Sequence, residues 1–540
     1  MIQNPILKGF NPDPCICRKG EDYYIAVSSF EWFPGIPVYH SRDLKHWELY
    51  THVLTSEEIL DLRRLPTGQG IWAPCLRYNE KEDLFYVVYG SMIPSQCNID
   101  NYMITAKDIR GPWSEPVYLH SCGFDASIFF DDDGKKYILS LEWETRPGYQ
   151  RPGEICMAEY DDEKKCIVSY PKRIWGGSSG RGWIEGPHIY KHDGWYYILC
   201  AEGGTGYRHC AAVGRSKTIW GPYEKDPEGL ILTSSPKLEK EYQMSMAEDR
   251  KHYNPGVVIQ KSGHASLVET QTGELFAVHL CSRPYMPEQR CSLGRETAIQ
   301  KLKWTQDGWI RMADGDYLVK DVCEESLLPE YLVKELPCHD DFDEGELGIY
   351  YYSPRYSSVR FTDLKSRPGY LRIRGQQCLS SCDKVSLLAR KLTAFRAVVT
   401  AGMEFEPKSY RQSAGLVIYY DNLNYLYLRK YYSESLKSCA LSITHAELGK
   451  VSEECEHKIA VEAERPIHLR LSLKDKQVQF YWSYEKDGEW NVIGPSYDAT
   501  KFSDEYCGRF TGTFIGIACM DDILRQHYAD FDYFDYETEE

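Results

Sequence analysis

Four ionisable side chains stand at the same place in a pattern that the N-terminal part of the chain repeats. They are Asp13 in FNPDP, Asp125 in GFDAS, Glu185 in IEGPH and His264 in GHASL, and Ala73 in IWAPC holds the remaining place. Carboxyl groups and imidazoles are the side chains that most often donate and accept protons in hydrolysis. If the fold brings them together, the sequence predicts an acid–base catalytic site.

Cleavage of a glycosidic bond is a reaction that fits such a set. It needs one carboxylic acid to protonate the leaving oxygen and a second carboxylate, about 6.5–9.5 Å away when that group activates water. An isolated glutamic acid has a pKa of about 4.3. The acid therefore needs burial or a neighbouring negative charge to keep its proton near neutral pH. The third carboxyl group of the pattern is expected to supply that charge.

Short aromatic strands are the elements that would position these residues. In each repeat a polar turn and an aromatic strand follow the marked residue, as in FDASIFFDDDGKKYILSL and IEGPHIYKHDGWYYILCA. The repeats begin roughly fifty to eighty residues apart, which is typical of propeller blades with loop insertions. The pattern predicts a five-bladed β-propeller whose first strands line a central channel. The acidic run DDDG from Asp131 to Gly134 is interpreted as a hairpin turn and not as a calcium loop.

Composition narrows the class of partner. The chain has 63 basic and 80 acidic residues and a net charge of −17, which argues against nucleic acid and anionic membranes as partners. Aromatic residues make up 14% of the chain, as expected of β-structure and of surfaces that stack on sugar rings. No leader-like segment or long apolar run occurs, so a cytoplasmic protein is expected.

Cysteines are numerous but do not form a recognisable motif. There are 19 of them, without paired C-x-x-C spacing, and Cys15 and Cys17 come closest to a motif. They are expected to be reduced thiols in strands and turns, not zinc ligands.

The C-terminal part is predicted to form a second β domain. Residues 1–322 are assigned to the propeller, 323–340 to a charged, proline-punctuated linker, and 341–540 to a jelly-roll-like β-sandwich. Short alternating runs such as SAGLVIYY and YLYLRKYY support the sandwich. Carbohydrate binding by this domain is a hypothesis from fold analogy alone.

The motifs KGFNPDP, GIWAP, GFDAS, EGPH, AEGGTGY, GHASLVET and LGRETAIQ resemble those of the two-domain β-xylosidases of glycoside hydrolase family 43. The resemblance covers nearly the whole chain. It implies that Asp13 is the general base, that Glu185 is the general acid, and that Asp125 raises the pKa of the acid and orients it. His264 is similar to a channel histidine that often helps to hold a calcium ion through waters. No cofactor other than this Ca²⁺ is expected.

The same resemblance implies a sugar pocket. Phe30, Trp72 and Trp143 are expected to form its apolar walls, and Thr205 in GGTGY is expected to line it. Arg295 in LGRE is expected to bind substrate hydroxyls, since a planar guanidinium presents several donors.

The sandwich is expected to lend one loop to this pocket. Phe510 in RFTGTF is the candidate, and a sandwich that closes one end of the channel would leave a blind pocket that removes single sugars. Two segments depart from the family pattern: Lys237 to Lys261 is long, and Met286 to Ser292 is short. Both are expected near the pocket rim, where they would affect substrate preference.

The preferred function is an inverting exo-β-1,4-xylosidase for short xylo-oligosaccharides, in a homo-oligomer such as the dimers or tetramers of similar proteins. An α-L-arabinofuranosidase, or both activities in one pocket, is the alternative, because the two sugars present similar hydroxyl patterns. A retaining fructan hydrolase is disfavoured, since the RDP signature does not occur. A non-catalytic sugar-binding propeller would be expected to lack the acid or the base, and the sequence has both.

Overall fold

The computed structural model describes residues 1–92, 99–143, 153–236 and 249–539. In these ranges the chain is almost entirely β-structure, so the predicted all-β fold is confirmed. Its helical pieces are single turns at Arg250–His252, Ser358–Arg360, Cys455–His457, Ala499–Lys501 and Asp504–Cys507. None of the described helices is long and apolar enough to cross a membrane. The first part of the long segment 237–261, up to residue 248, lies outside the described residues.

Five antiparallel sheets form the blades of the predicted propeller. Blade 1 has strands Cys15–Lys19, Asp22–Ala26, Gly35–Ser41 and Glu48–Leu54. Blade 2 has Gly70–Asn79, Leu84–Met92, Ile99–Ala106 and Val117–His120. Blade 3 has Gly123–Phe130, Lys136–Glu142, Ile155–Asp161, Cys166–Ile167 and Lys172–Trp175. Blade 4 has Glu185–His192, Trp195–Glu202, Cys210–Ser216, Glu224–Lys225 and Leu232–Thr233. Blade 5 has Gln260–Glu269, Leu275–Ser282, Glu296–Trp304 and Ile310–Met312.

The ring of blades is closed by its own two ends. Strand Ile2–Gln3 pairs antiparallel with Val322–Cys323, and the amide of Asn4 donates to the carbonyl of Ile299 at 2.8 Å. Pairing of the two termini joins the start and the end of the ring, as the closed arrangement of propeller blades requires. The first strands of all five blades are thereby held around one axis.

The backbone departs from regular β-structure at one shared point in each blade, the bulge position, which lies in or just before the innermost strand. Ladder register shifts there in blades 2 to 5, and the backbone has positive φ at Asp13 (54°), Ala73 (35°), Asp125 (55°), Gly186 (58°) and His264 (49°). Residues other than glycine seldom adopt this conformation, so its recurrence marks a functional position. The predicted alignment is wrong by one residue in blade 4, because Gly186 and not Glu185 occupies the shared position.

The glycine in blade 4 has a steric reason. A Cβ atom at Gly186 would lie 3.0 to 3.2 Å from the imidazole atoms of His264, so a side chain there would crowd the ring, and the φ of 58° is strained for any residue but glycine. A bulge sets two residues of one strand opposite a single partner. Glu185, one residue earlier, therefore still reaches the cavity that Asp13 and Asp125 line.

The sandwich consists of two antiparallel sheets that enclose a large apolar core. One sheet contains Thr362–Asp363, Leu371–Arg374, Tyr528–Glu539, Arg396–Glu404, Ile467–Lys474, Gln477–Ser483, Asn491–Asp498 and His339–Asp340. The other contains Ser386–Lys391, Phe514–Asp521, Gln412–Asp421, Asn424–Ser433, Ser438–Glu447, Lys450–Glu453 and Ile459–Ala460. The runs SAGLVIYY and YLYLRKYY are strands, as predicted.

The predicted linker is shorter than 323–340 in the structure. Cys323 belongs to the strand that closes the propeller, and His339 already belongs to the sandwich. The connecting segment is attached to blade 1, where the backbone N–H of Tyr331 donates to Oδ2 of Asp43 at 2.9 Å.

The two domains share an apolar interface beside the channel mouth. The rings of Trp32 and Phe514 stack with centroids 3.5 Å apart, and the indole N–H of Trp32 donates to Oγ1 of Thr511 at 3.1 Å. The backbones touch as well, since a Cβ at Gly294 would lie 3.0 Å from Cα of Gly512. These contacts hold the sandwich loop that carries Phe510 over the channel.

Candidate active site

One cavity of about 480 Å³ lies where the propeller channel meets the sandwich. Pockets for small molecules measure about 300–1,000 Å³, so the cavity is large enough for a short saccharide. All of the predicted site residues line it: Asp13, Phe30, Trp72, Asp125, Trp143, Glu185, Thr205, His264, Arg295 and Phe510. The structure thus brings together residues from all five blades and from the sandwich.

Asp13 is fixed by a relay of hydrogen bonds at the start of blade 1. Its Oδ2 accepts a hydrogen bond from the hydroxyl of Ser28 at 2.7 Å, and that hydroxyl oxygen accepts one from the backbone N–H of Ala73 at 2.7 Å. Its Oδ1 lies 4.0 Å from Nδ1 of His264 and 4.0 Å from Nη1 of Arg295. The carboxylate is 7% exposed and has an oxygen left to hold a water.

Glu185 has the electrostatic surroundings of a general acid. Burial and then the negative charge of Asp13 raise its pKa to about 7, against the opposing charge of Arg295. A carboxyl group with this pKa is about half protonated at pH 7, so it can give a proton to a leaving oxygen and take one back from solvent.

Asp125 lies directly beside this acid. Its Oδ2 accepts a hydrogen bond from the backbone N–H of Gly186 at 3.1 Å, which fixes the residue that follows Glu185. Burial first, and then the charges of Glu185 and Asp13, raise the pKa of Asp125. Asp125 and Glu185 are neighbouring acids whose negative charges disfavour each other, so the role predicted for Asp125 in raising the pKa of the acid stays a prediction. Its role in orienting Glu185 stays a prediction.

His264 completes the ring of groups at the channel mouth. Burial lowers its pKa, while the charge of Asp13 acts in the opposite direction. One ligand atom each from His264, Asp125 and Glu185 lie within 4.8 Å of one another. Two carboxyl groups and one imidazole fall short of the six to eight oxygen ligands that Ca²⁺ prefers. A calcium ion here would need water for most of its coordination, and it would compete with the proton of Glu185.

Arg295 bridges the two domains at the edge of the cavity. Its Nε lies 3.7 Å from Oδ2 of Asp504, and its guanidinium carbon lies 4.1 Å from the ring centroid of Phe510. Its Nη2 is buried and has no hydrogen-bond partner within the described ranges. That free donor is suited to a substrate hydroxyl.

Aromatic rings form a continuous wall. Ring centroids are 6.0 Å apart for Phe30 and Trp72, 5.9 Å for Trp72 and Phe124, and 4.8 Å for Phe124 and Trp143. Apolar rings of this kind pack against the flat faces of sugars. Phe124 was not predicted, although it stands next to Asp125 in the GFDAS motif.

A cluster of charged side chains that the sequence did not predict also lines the cavity. Lys261 of blade 5 forms a buried ion pair with Glu505 of the sandwich, and Asp504 lies beside them. Oε2 of Glu505 also accepts a hydrogen bond from the backbone N–H of Cys291 at 2.9 Å. Residues so far apart along the chain carry no shared motif, so only the packing of the two domains reveals the cluster.

Comparison with known proteins gives matches over both domains. Residues 2–310 match the family model described as glycosyl hydrolases family 43, and residues 339–537 match the beta xylosidase C-terminal concanavalin A-like domain. The chain is 38% identical to a beta-xylosidase of Bacillus subtilis and 36% identical to xylosidase/arabinosidase 43B of Humicola insolens. These matches cover 99% of this chain and 99% and 97% of those proteins, respectively. A crystal structure of xylan beta-1,4-xylosidase from Bacillus halodurans matches with a TM-score of 0.93 and 41% identity, over 100% of both chains.

Proposed function

The chain belongs to glycosyl hydrolases family 43, and we propose that it is an inverting exo-β-1,4-xylosidase that removes single xylose units from short xylo-oligosaccharides. The observation that carries the proposal is the pairing of Asp13 with Glu185 in one cavity. The pKa of Glu185 is raised there to about 7 by burial and by the charge of Asp13.

The proposed reaction is a single displacement at the anomeric carbon. Glu185 gives its proton to the glycosidic oxygen as the bond from that oxygen to the anomeric carbon breaks. A water held by Asp13 attacks the opposite face of the sugar, and its proton passes to the Asp13 carboxylate. The products are a shortened saccharide and a xylose of inverted configuration. Proton exchange with water then restores both carboxyl groups.

The sandwich supports the exo mode. Asp504, Glu505 and Phe510 close one side of the cavity that the propeller opens, so a polymer would have no continuous path across the acid and base. A chain end can enter such a pocket, whereas an internal segment cannot. Hydrolysis of long insoluble xylan at internal bonds, at rates comparable with those for xylobiose, would contradict this mode.

Two nitrophenyl glycosides test the substrate. We expect 4-nitrophenyl β-D-xylopyranoside to give a higher kcat/KM than 4-nitrophenyl α-L-arabinofuranoside, and xylobiose to be cleaved to xylose. Xylobiose left intact by enzyme that hydrolyses the arabinofuranoside would refute the xylosidase assignment.

The arabinofuranosidase activity is the second candidate. A relative that is 36% identical over 99% of this chain is named for both activities, and one pocket with a free guanidinium donor at Arg295 suits either sugar. If both are substrates of one site, each glycoside should inhibit hydrolysis of the other competitively.

Further predictions from the sequence are kept as parts of this proposal. They are a Ca²⁺ ion held by His264 largely through waters, a homo-oligomeric assembly and a cytoplasmic location. Activity that survives exhaustive chelation would remove the calcium from the proposal, and light scattering of the purified protein would decide the assembly.

A further inference from the structure

A second ring of side chains lies along the channel, one step beyond the bulges. The residue two places after the bulge position is Cys15, Cys75, Ser127, His188 and Ser266 in blades 1 to 5. Contacts join neighbouring blades here: the hydroxyl of Ser266 lies 3.6 Å from Sγ of Cys15, and that of Ser127 donates at 2.5 Å to the carbonyl of Pro187, the residue before His188. The repeat that gathers the carboxyl groups therefore gathers this set as well.

Three members of this ring can serve as metal ligands. The sulfurs of Cys15 and Cys75 and one ring nitrogen of His188 lie within 4.8 Å of one another, and the three residues are 2%, 2% and 5% exposed. A tetrahedral zinc ion lies about 2.3 Å from sulfur and about 2.1 Å from nitrogen, which places ligand atoms roughly 3.5–3.8 Å apart. If the two sulfurs and the nitrogen moved about 1 Å closer together, they would have the spacing of tetrahedral zinc ligands.

The hydrogen bonds around these three residues leave ligand atoms available to an ion. Nδ1 of His188 is buried and lacks any hydrogen-bond partner in the part of the chain that the structure describes. A buried ring nitrogen without a partner is unfavourable, and a metal would satisfy the imidazole. The sulfur of Cys15 accepts from the N–H of Leu76 at 3.3 Å and from the hydroxyl of Ser266, and as a thiol it donates to the carbonyl of Leu76 at 3.5 Å. The two donors favour the thiolate, which is the form that binds metals, and a bound ion would take the place of the S–H proton.

We propose that Cys15, Cys75 and His188 bind one thiophilic metal ion, Zn²⁺ or Cu⁺, inside the propeller and apart from the glycosidase site. Thiolate and imidazole ligands select these soft ions, whereas Ca²⁺ takes oxygen ligands. Because the three residues come from blades 1, 2 and 4, the ion would join separate parts of the ring at its axis. Zn²⁺ would keep a fourth position for water or for the hydroxyl of Ser266, and Cu⁺ would be three-coordinate.

Metal content and ligand type test the proposal in the full chain, produced without an affinity tag. Since the site is buried, the protein is expressed in medium supplemented with zinc sulfate or, separately, with copper sulfate. We expect about one equivalent of Zn²⁺ or Cu⁺ per chain after gel filtration, with X-ray absorption showing two sulfur ligands. Retention of either ion supports the proposal. Absence of stoichiometric metal in both arms, or an ion with only nitrogen and oxygen ligands, would overturn it.

Variants locate the ion. Cys75→Ser and His188→Phe should lose the bound metal. Cys17→Ser should keep it, because Cys17 is a buried thiol two residues after Cys15 on the same strand and does not belong to the cluster. Unchanged metal content in Cys75→Ser would contradict the assignment. If these variants do not fold, X-ray absorption of the unmodified chain still decides. A disulfide between Cys15 and Cys75 in the isolated protein, found by mass spectrometry after alkylation, would overturn it too.

Discussion

Two groups of buried carboxyl groups face the same cavity, and they differ in what balances their charge. The propeller supplies Asp125 and Glu185, whose pKa values are raised by burial and by neighbouring negative charges. The sandwich supplies Asp504, whose pKa burial also raises, and Glu505, for which the charge and hydrogen bond of Lys261 outweigh the effect of burial and lower the pKa. Glu185 thus keeps a proton available near neutral pH, whereas Glu505 is the charged member of a buried ion pair.

The difference shows what distinguishes a catalytic acid from a structural one. Burial alone does not, since Glu505 is as deeply buried as the catalytic groups. The balance of neighbouring charges distinguishes them, because burial and the charge of Asp13 outweigh Arg295 at Glu185, whereas Lys261 outweighs burial at Glu505. Glu185 destabilises the fold once it ionises, whereas the charge of Glu505 is balanced by Lys261 across the domain interface, and removing one partner alone would leave a buried unpaired charge.

The largest expected effect comes from removing the acid. Glu185→Gln should lower kcat/KM for xylobiose by about 10³- to 10⁴-fold, because the leaving sugar needs protonation. The loss should be much smaller for 4-nitrophenyl β-xyloside, whose leaving group needs little protonation. Asp13→Asn is the matched control, since loss of the base should reduce turnover of both substrates alike. Equal losses on both substrates for Glu185→Gln would contradict its role as the acid.

Replacing Glu505 and replacing Glu185 should change the free energy of unfolding in opposite directions. Glu505→Gln leaves Lys261 buried and unpaired, and we expect it to lower the free energy of unfolding by roughly 3–5 kcal/mol at pH 8. Glu185→Gln should raise that free energy at pH 8, by at most roughly 3 kcal/mol, because the folded-state pKa of Glu185 lies above its unfolded value.

The sign of the second effect follows from linkage. A raised folded-state pKa contributes stability that is present at low pH and is lost as the pH rises through about 7. The advantage of Glu185→Gln should therefore vanish near pH 4. Urea unfolding at both pH values measures it, and the double variant Lys261→Met/Glu505→Leu should recover stability relative to Glu505→Gln. If Glu505→Gln and Glu185→Gln shift the free energy of unfolding in the same direction at pH 8, the contrast between the two carboxyl groups is contradicted.

Arg295 should set the alkaline limit of activity. In the unmodified enzyme kcat/KM should fall above about pH 7, as Glu185 loses its proton. The positive charge of Arg295 lowers the pKa of Glu185, so Arg295→Met should move this decline to higher pH, besides raising KM. Arg290→Met is the control, since Arg290 contacts Thr500 and Tyr506 instead. A decline that moves to lower pH in Arg295→Met would contradict this electrostatic role.

The smallest expected effect concerns the sandwich loop. Phe510 is 42% exposed and packs on the guanidinium of Arg295, a contact worth about 1–2 kcal/mol when partly shielded from water. Phe510→Ala should therefore lower kcat/KM for xylobiose about tenfold, mainly through KM, while Phe510→Tyr should retain most of it. Steady-state kinetics that leave Phe510→Ala unchanged would remove this loop from the substrate pocket.

Sequence patterns sufficed for the propeller because its period lies in local signals: turns, aromatic strands and one marked residue per blade. They did not reveal the bulge, so the repeats were aligned one residue off in blade 4, with Glu185 at the position that Gly186 occupies in the structure. The constraint there is steric contact with His264, from another blade. The ion pair of Lys261 and Glu505 was not predicted for a related reason, because it forms only when the two domains pack against each other.

The anomeric configuration of the first product tests the central claim most directly. That claim is that Glu185 protonates the leaving oxygen while Asp13 activates a water on the other face of the sugar. Proton NMR of early xylobiose hydrolysis should therefore show α-xylose released first from the non-reducing end, with the β-anomer growing later by mutarotation. Release of β-xylose first would mean retention through a covalent intermediate, and Asp13 could not then be the base that activates water.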